Sequence, residues 1–195
     1  MASFGNLETE TPFLVDLMEE HEVVHALAER TIEALAEAAA GGGDALRTAF
    51  ECSRDLDAYL AEDLVVHIAK EEDLLFPALR GFAADLDKVV FEMVEQHDEV
   101  RARCTAIELA LRELDSEHQR VESAKSGFAE AMASAGPELS PADVARLLDA
   151  VKRLDWILQG HFGDEEDDLF VPAIALLGAE TWAELHQQAK ALTDG

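Results

Sequence analysis

The sequence predicts an all-α protein, an up-down-up-down bundle of four helices with a short extra helix at its C-terminal end. Three observations carry that expectation. Apolar residues recur at three- and four-residue steps along four long stretches, the period of a helix with one buried face. Strand signals are nearly absent: the chain has one Tyr, few β-branched clusters and no Asn-Gly or Asp-Gly turn between two strand-like runs. Helix start and stop signals separate the stretches, and long striped helices joined by short loops pack as antiparallel neighbours.

Residues 1–11 read as a polar tail. Thr11-Pro12 supplies an N-cap followed by proline at the first helical position, and the first helix carries Leu14, Leu17, Met18, Ala28, Ile32 and Leu35 on one stripe. His21 and His25 fall on that same stripe, and Gly41-Gly42-Gly43 ends the helix. A second helix is expected from about Asp44 to Phe76, with Gly81 at a C-cap position just beyond it. The third begins near Asp85 and runs to about Ala133, with a break around Ser123 to Gly127, before a loop from Ser134 to Leu139. Ser140-Pro141-Ala142-Asp143 repeats the start signal, and the fourth helix carries His161 and ends near Pro172. A short amphipathic helix from about Ala179 to Leu192, within a closing segment 178–195, places Trp182, Leu185 and Ala189 on one side. The bundle itself is expected over residues 12–177.

The composition narrows the function. A chain of 195 residues is long enough to bury a core as one domain. Forty-two Asp and Glu against 15 Lys and Arg leave a formal charge of −27, which argues against nucleic acid and against anionic membrane surfaces as partners. Cys52 and Cys104 sit inside helical patterns without Cys-x-x-Cys spacing and read as buried free thiols in a reducing compartment. No secretory leader pattern and no apolar run of membrane-spanning length is found, so a cytosolic location is expected. There is no nucleophilic triad, phosphate loop or nucleotide fingerprint.

One pattern occurs twice, as His67-Ile-Ala-Lys-Glu71-Glu72-Asp-Leu-Leu-Phe76 and as His161-Phe-Gly-Asp-Glu165-Glu166-Asp-Asp-Leu-Phe170. On a helix, His and Glu four apart project from one face, so an imidazole nitrogen and a carboxylate can meet one metal ion. Both copies run into an apolar stretch, which turns the polar pair toward a core. The repeat extends further: Glu19-Glu20-His21 on the first helix is echoed by Glu95-Gln96-His97 on the third. Each half therefore offers a lone His, then His and Glu four apart. Closing the halves about a pseudo-twofold axis gathers four His and two Glu at the bundle centre. Burying such a set is costly unless each group is paired, and metal coordination resolves it. Mixed imidazole and carboxylate donors suit iron or manganese, bridging carboxylates suit a pair of ions, and zinc fits a site of six donors less well.

The doubled His-x-x-x-Glu-Glu motif, together with His21 and His97, resembles the hemerythrin-like proteins, the family of His-His-Glu cation-binding domains. The resemblance implies the same four-helix bundle, with His21, His67, His97 and His161 as terminal ligands. It further implies that Glu71 and Glu165 bridge two iron ions together with an oxo or hydroxo group. The chain departs from the oxygen-carrying members, which have a His-x-x-x-His pair on the third helix, where His97 is here followed by Arg101. Those members also place an Asp one residue later on the fourth helix, where this chain has Glu165. The extra pair stands instead on the first helix, as His21 and His25, so His25 is expected as a fifth imidazole from the opposite side; hydrogen bonding in the core, or ligation in place of His21, are the alternatives. Tyr59 and Asp63 share the stripe of His67, and Asp168 stands where the other half has Leu74, so each is a candidate neighbour of the ligands. Glu72 and Glu166 are rotated away from the ligand face and belong to the surface or to a supporting layer, and His118 and His186 lack a carboxylate at ligand spacing.

What the resemblance implies for function is a non-haem di-iron protein that binds or senses dioxygen, nitric oxide or peroxide, with peroxide consumption as an enzymatic possibility. Two other classes stay open: iron storage or donation, and a metal-dependent regulatory or structural module in which iron completes the fold and metal state controls a partner, with the C-terminal helix and Trp182 as the interaction surface.

Overall fold

The computed structural model of the chain describes residues 11–41, 43–125 and 140–193, with the backbone alone for 43 and 114–125. Five helical elements follow one another. α1 is Pro12–Ala40. α2 is Gly43–Lys70 and continues without a break through a π-helical turn, Glu71–Leu75, into a last turn, Phe76–Leu79. α3 is Ala84–Lys125. α4 is Pro141–Asp164, again continued by a π-helical segment, Glu165–Phe170, and by Val171–Leu176. α5 is Ala179–Thr193. No strand occurs among the described residues, and none of their helices is long and apolar enough to cross a membrane. The expected continuation of the third helix toward Ala133 and the loop after it lie outside the described residues.

The helices pack as an antiparallel bundle. Cross-links between α1 and α2 run in opposite senses along the two chains, from Glu20 with Lys70 to Arg30 with Asp55. α3 and α4 are related likewise, with Gln96 bonded to Asp164 at one level and Glu113 to Arg146 at another. Local signals explain the boundaries. Gly41 takes φ +104°, which removes the Cβ clash that would oppose the turn out of α1, and Gly81 takes φ +85° in the turn from α2 to α3. Ser140 and Asp143 close a reciprocal capping box at the start of α4. At the start of α1 the Thr11 carbonyl receives the Leu14 and Val15 N–H groups, and its hydroxyl makes no cap bond.

The apolar core is in two parts. One cluster is built around Leu35, Leu56, Ile107, Leu147 and Leu154, and the other around Phe13, Leu17, Leu75, Phe76, Leu79 and Leu169. Between them lies a layer of buried polar side chains, namely His21, His67, Glu71, His97, His161 and Glu165. α5 seals the second cluster. Trp182, Leu185 and Ala189 are buried on it, with the Trp182 ring 6.2 Å from that of Phe13. The Trp182 surface expected for a partner is thus internal, because an amphipathic helix this short is stable only with its apolar face docked. Truncating Trp182 to Ala is expected to cost about 3–5 kcal/mol of unfolding free energy, measured by denaturant titration; a loss below about 1 kcal/mol would mean that α5 does not hold the base of the bundle.

Candidate metal centre

Each half of the repeat delivers three side chains to the polar layer. His21 comes from α1 and His97 from α3, each projecting from the apolar stripe of its helix; His67 and Glu71 come from α2, His161 and Glu165 from α4. All six are at most 4% exposed. Glu71 and Glu165 each open a π-helical segment, where the extra residue in the turn advances the chain relative to an α-helix. This widened turn has no signature in hydrophobic periodicity, and it occurs at the same place in both halves.

The donor atoms form two groups that share both carboxylates. One comprises His21, His67, Glu71 and Glu165, the other Glu71, His97, His161 and Glu165, and within each group the ligand atoms lie within 4.8 Å of one another. Each carboxylate spans the pair with separate oxygens. Glu71 Oε1 is 3.4 Å from His67 Nε2 and Oε2 is 3.1 Å from His97 Nε2. Glu165 Oε2 is 3.5 Å from His21 Nε2, and Oε1 is 3.3 Å from His161 Nε2.

An outer layer fixes the tautomers. His21 Nδ1 lies 3.1 Å from Glu166, His67 Nδ1 2.8 Å from Glu20, and His97 Nδ1 2.8 Å from Glu72. His161 Nδ1 lies 2.8 Å from Gln96 Oε1. Carboxylate and carbonyl oxygens only accept, so each neutral imidazole donates from Nδ1 and turns its Nε2 lone pair inward. The consequence is a set of confronted acceptors. His21 Nε2 and His67 Nε2 stand 3.2 Å apart, and both oxygens of Glu71, both of Glu165 and Nε2 of His97 are buried without a hydrogen-bond donor. Orphaned acceptors in this number are costly in a dry interior. Cations between them satisfy all six at once, so the residues fit a metal pair.

Without a cation the groups must shift their protonation instead. Burial pushes Glu71 well above the ordinary carboxylate range, and burial together with the Glu71 charge does the same to Glu165. Burial lowers His67 to about 4, partly opposed by its bond to Glu20, and burial with the nearby His97 lowers His161 to about 2. Outside the centre, burial works against an ionised Glu20, but its bonds to His67 and Lys70 hold it below the usual value. Glu72 is likewise held low against burial by Arg101 and His97.

The remaining expected residues fall elsewhere. His25 is not brought to the centre: it is one-third exposed, one turn beyond His21, with Nδ1 2.9 Å from Asp155 and Nε2 3.4 Å from Glu29. Four residues turn a helix by about 400°, so His25 sits a full turn along the axis from His21 and about 40° around it, where Asp155 of α4 meets it. Tyr59 donates to the Glu20 carbonyl at 3.2 Å, its hydroxyl pushed up to about 12 by burial and then by Glu20 and Asp63. Asp63 and Asp168 are exposed, and His186 is 3.3 Å from Asp16 on the surface between α5 and α1. The side chain of His118 lies outside the described residues. Cys52 and Cys104 are free thiols, the first buried and the second only partly so. Glu72 and Glu166 are the outer partners of His97 and His21. Glu20, Gln96 and Lys70 are the residues that spacing arguments miss. The only sequence signal for the first two is their place beside His21 and His97 in the echoed tripeptides.

The family model described as the hemerythrin HHE cation binding domain matches residues 13–125. The chain belongs to the hemerythrin HHE cation-binding family. No match is found among curated proteins or among solved structures. The matched stretch contains the hemerythrin-like set His21, His67, Glu71 and His97, and the geometry brings His161 and Glu165 of α4 to the same place.

Two predictions follow from this arrangement. His25→Ala is expected to leave the bound metal per chain unchanged by elemental analysis, whereas His21→Ala removes a donor and at least roughly tenfold in affinity; loss of metal in His25→Ala would return that residue to the ligand set. The second concerns pH. In metal-free protein His67 and His161, depressed from 6.5, contribute stability that is present above pH 6.5 and lost as pH falls below it. Glu71 and Glu165, raised from 4.5, contribute stability that is present below pH 4.5 and lost as pH rises. The two pairs oppose each other between these values. The contributions of the two pairs to the thermal midpoint therefore run in opposite directions between pH 4.5 and 6.5, and above 6.5 any further change comes from the carboxylates and is a fall. Replacing both Glu71 and Glu165 by Gln is expected to abolish the alkaline fall, and an identical fall in that double variant would place its origin elsewhere.

Proposed function

We propose that this chain is a non-haem di-iron protein whose centre binds a small ligand, namely dioxygen, nitric oxide or peroxide. The observation that carries the reading is the pair of donor groups sharing Glu71 and Glu165, each carboxylate directing one oxygen to either side. Two ions held by common carboxylates are the arrangement such sharing serves, and a mixed nitrogen and oxygen donor set suits iron. His21 and His67 would hold one ion and His97 and His161 the other.

A bound iron pair supplies Lewis acidity and redox electrons to a small oxygen- or nitrogen-containing ligand. The protein's part is positional and electrostatic. Glu166, Glu20, Glu72 and Gln96 fix the imidazole planes through Nδ1 and raise the basicity of Nε2. The Phe162 ring stacks on His21 at 3.8 Å and the Phe76 ring lies nearly parallel to His97 with centroids 5.7 Å apart, so aromatic rings flank the centre. Burial of every donor favours a resident metal over an exchangeable cargo, which sets iron storage and donation behind ligand binding. The regulatory alternative drew on an exposed Trp182, and that residue is 3% exposed.

Metal analysis and absorption spectra of the purified protein test the proposal. Two irons per chain are expected, with charge-transfer bands that dithionite bleaches and that nitric oxide or peroxide alters. A colourless chain that retains no transition metal in either redox state would end it.

A further inference from the structure

The pseudo-twofold exchanges two seams of the bundle, α4 with α1 and α2 with α3, and the two are not closed alike. The α4/α1 seam is shut twice over. The Phe162 ring stacks on His21 with centroids 3.8 Å apart, and beyond it His25 Nδ1 and Asp155 Oδ1 bridge the helices at 2.9 Å. On the other seam the repeat puts Ile68 in the position of Phe162, Arg101 in that of His25 and Ala61 in that of Asp155. Ile68 has no ring to lay on His97 in this seam; the Phe76 ring, 5.7 Å from His97, has its counterpart in Phe170, 6.1 Å from His21, and does not distinguish the seams. Ala61 has no carboxylate to meet Arg101, which bridges this seam instead to Glu72 of α2 at 2.8 Å, beside the centre, and also bonds to Asp98 at 3.2 Å.

A groove of about 540 Å³ runs along this seam, with Leu60, Leu64, Ile68 and Val100 among its lining residues and Cys104 on its wall. It reaches Glu72, whose Oε1 receives the Nδ1–H of His97. The groove's buried lining is aliphatic, Asp57, Asp73, Arg101, Thr105 and Glu108 also line it, and it ends at the Arg101–Glu72 ion pair beside a donor of the centre. Aliphatic side chains change rotamer on a nanosecond scale and let a diatomic molecule pass, whereas a ring stacked face to face on an imidazole leaves no such path.

We infer that small uncharged ligands enter through the groove between α2 and α3 and meet the centre on its His97 side, while the matching α4/α1 seam is sealed. This rests on the proposed ligand-binding function for what the ligand does, but the groove's openness is tested independently of it. The donors of the two sides are the same in kind, and the seam residues decide which side a ligand reaches.

Two measurements decide it. Crystals of the protein as purified, pressurised with xenon, are expected to hold xenon in the groove, and Ile68→Phe, which copies the closed seam, is expected to exclude it. In stopped-flow mixing of the iron-loaded protein with nitric oxide, association should slow at least roughly tenfold in the Ala61→Asp/Ile68→Phe double variant. Benzyl methanethiosulfonate on Cys104 of the folded wild-type protein should slow it likewise, which covers the case of a variant that does not fold. Asp155→Ala, which unlocks the opposite seam, is expected to leave the rate unchanged. Xenon absent from the groove, or an association rate insensitive to Cys104 modification and raised by Asp155→Ala, would overturn the inference. Failure of the purified chain to hold iron would instead remove the proposed function, with the xenon result still deciding the groove.

Discussion

Six lone-pair groups facing one another in a dry layer form the constraint on which the rest of this bundle depends. Four imidazoles and two carboxylates are each at most 4% exposed, and the outer partners of the imidazoles leave the inner atoms with acceptors only. A core of this kind cannot be one continuous apolar body. It is divided into two clusters, each large enough to fix the helices on its own side of the polar layer. The π-helical segments belong to the same solution. They stand where α2 and α4 cross from the polar layer into the second cluster, so that Glu71 faces inward while Leu75 and Phe76 still pack, and Glu165 does so while Leu169 and Phe170 pack.

The outer layer repeats the symmetry of the inner one and then breaks it in charge. His67 is held by Glu20, which is paired with Lys70; the corresponding chain in the other half is His161, Gln96 and Asp164. The hydrogen-bonded path is the same in both, from helix to helix and back. One runs through a carboxylate neutralised by an ammonium group, the other through a neutral amide that in turn donates to a carboxylate. A carboxylate behind an imidazole strengthens its Nε2 as a donor more than an amide does. The halves therefore hold the same kinds of ligand with unequal donor strength, and the inequality is built from residues that touch no metal.

How much of this was legible in the sequence depends on whether a signal is local. The helices, the capping box at Ser140 and the inward face of His67 with Glu71 follow from spacing along one element. The echo of Glu19-Glu20-His21 in Glu95-Gln96-His97 was also visible, yet the roles of Glu20 and Gln96 were not, because their partners sit on another helix. His25 shows the opposite failure. It satisfies the stripe of α1, but a stripe about a hundred degrees wide includes both the bundle centre and its flank, and Asp155 claims the residue there. Trp182 was rightly placed on the apolar side of α5, but periodicity cannot say whether that side meets the chain's own Phe13 or another molecule. The π-helical turns leave no periodic trace, since one added residue shifts a pattern no more than ordinary scatter does.

The acidity of the chain bears on the same centre. A formal charge of −27 on 195 residues places a negative potential over the whole bundle, and self-repulsion of that size works against compaction. Lys70 is paired with Glu20 and Arg101 with Glu72, directly behind the buried imidazoles, so that two of the 15 basic residues neutralise that layer. Cations in the inner layer would act where the dielectric is low and where burial otherwise pushes both carboxylates toward the neutral form. The surrounding negative field then lowers the energy of those cations at every distance within the screening length. Acidity that destabilises the empty bundle would stabilise one holding cations, and metal retention would then be linked to folding.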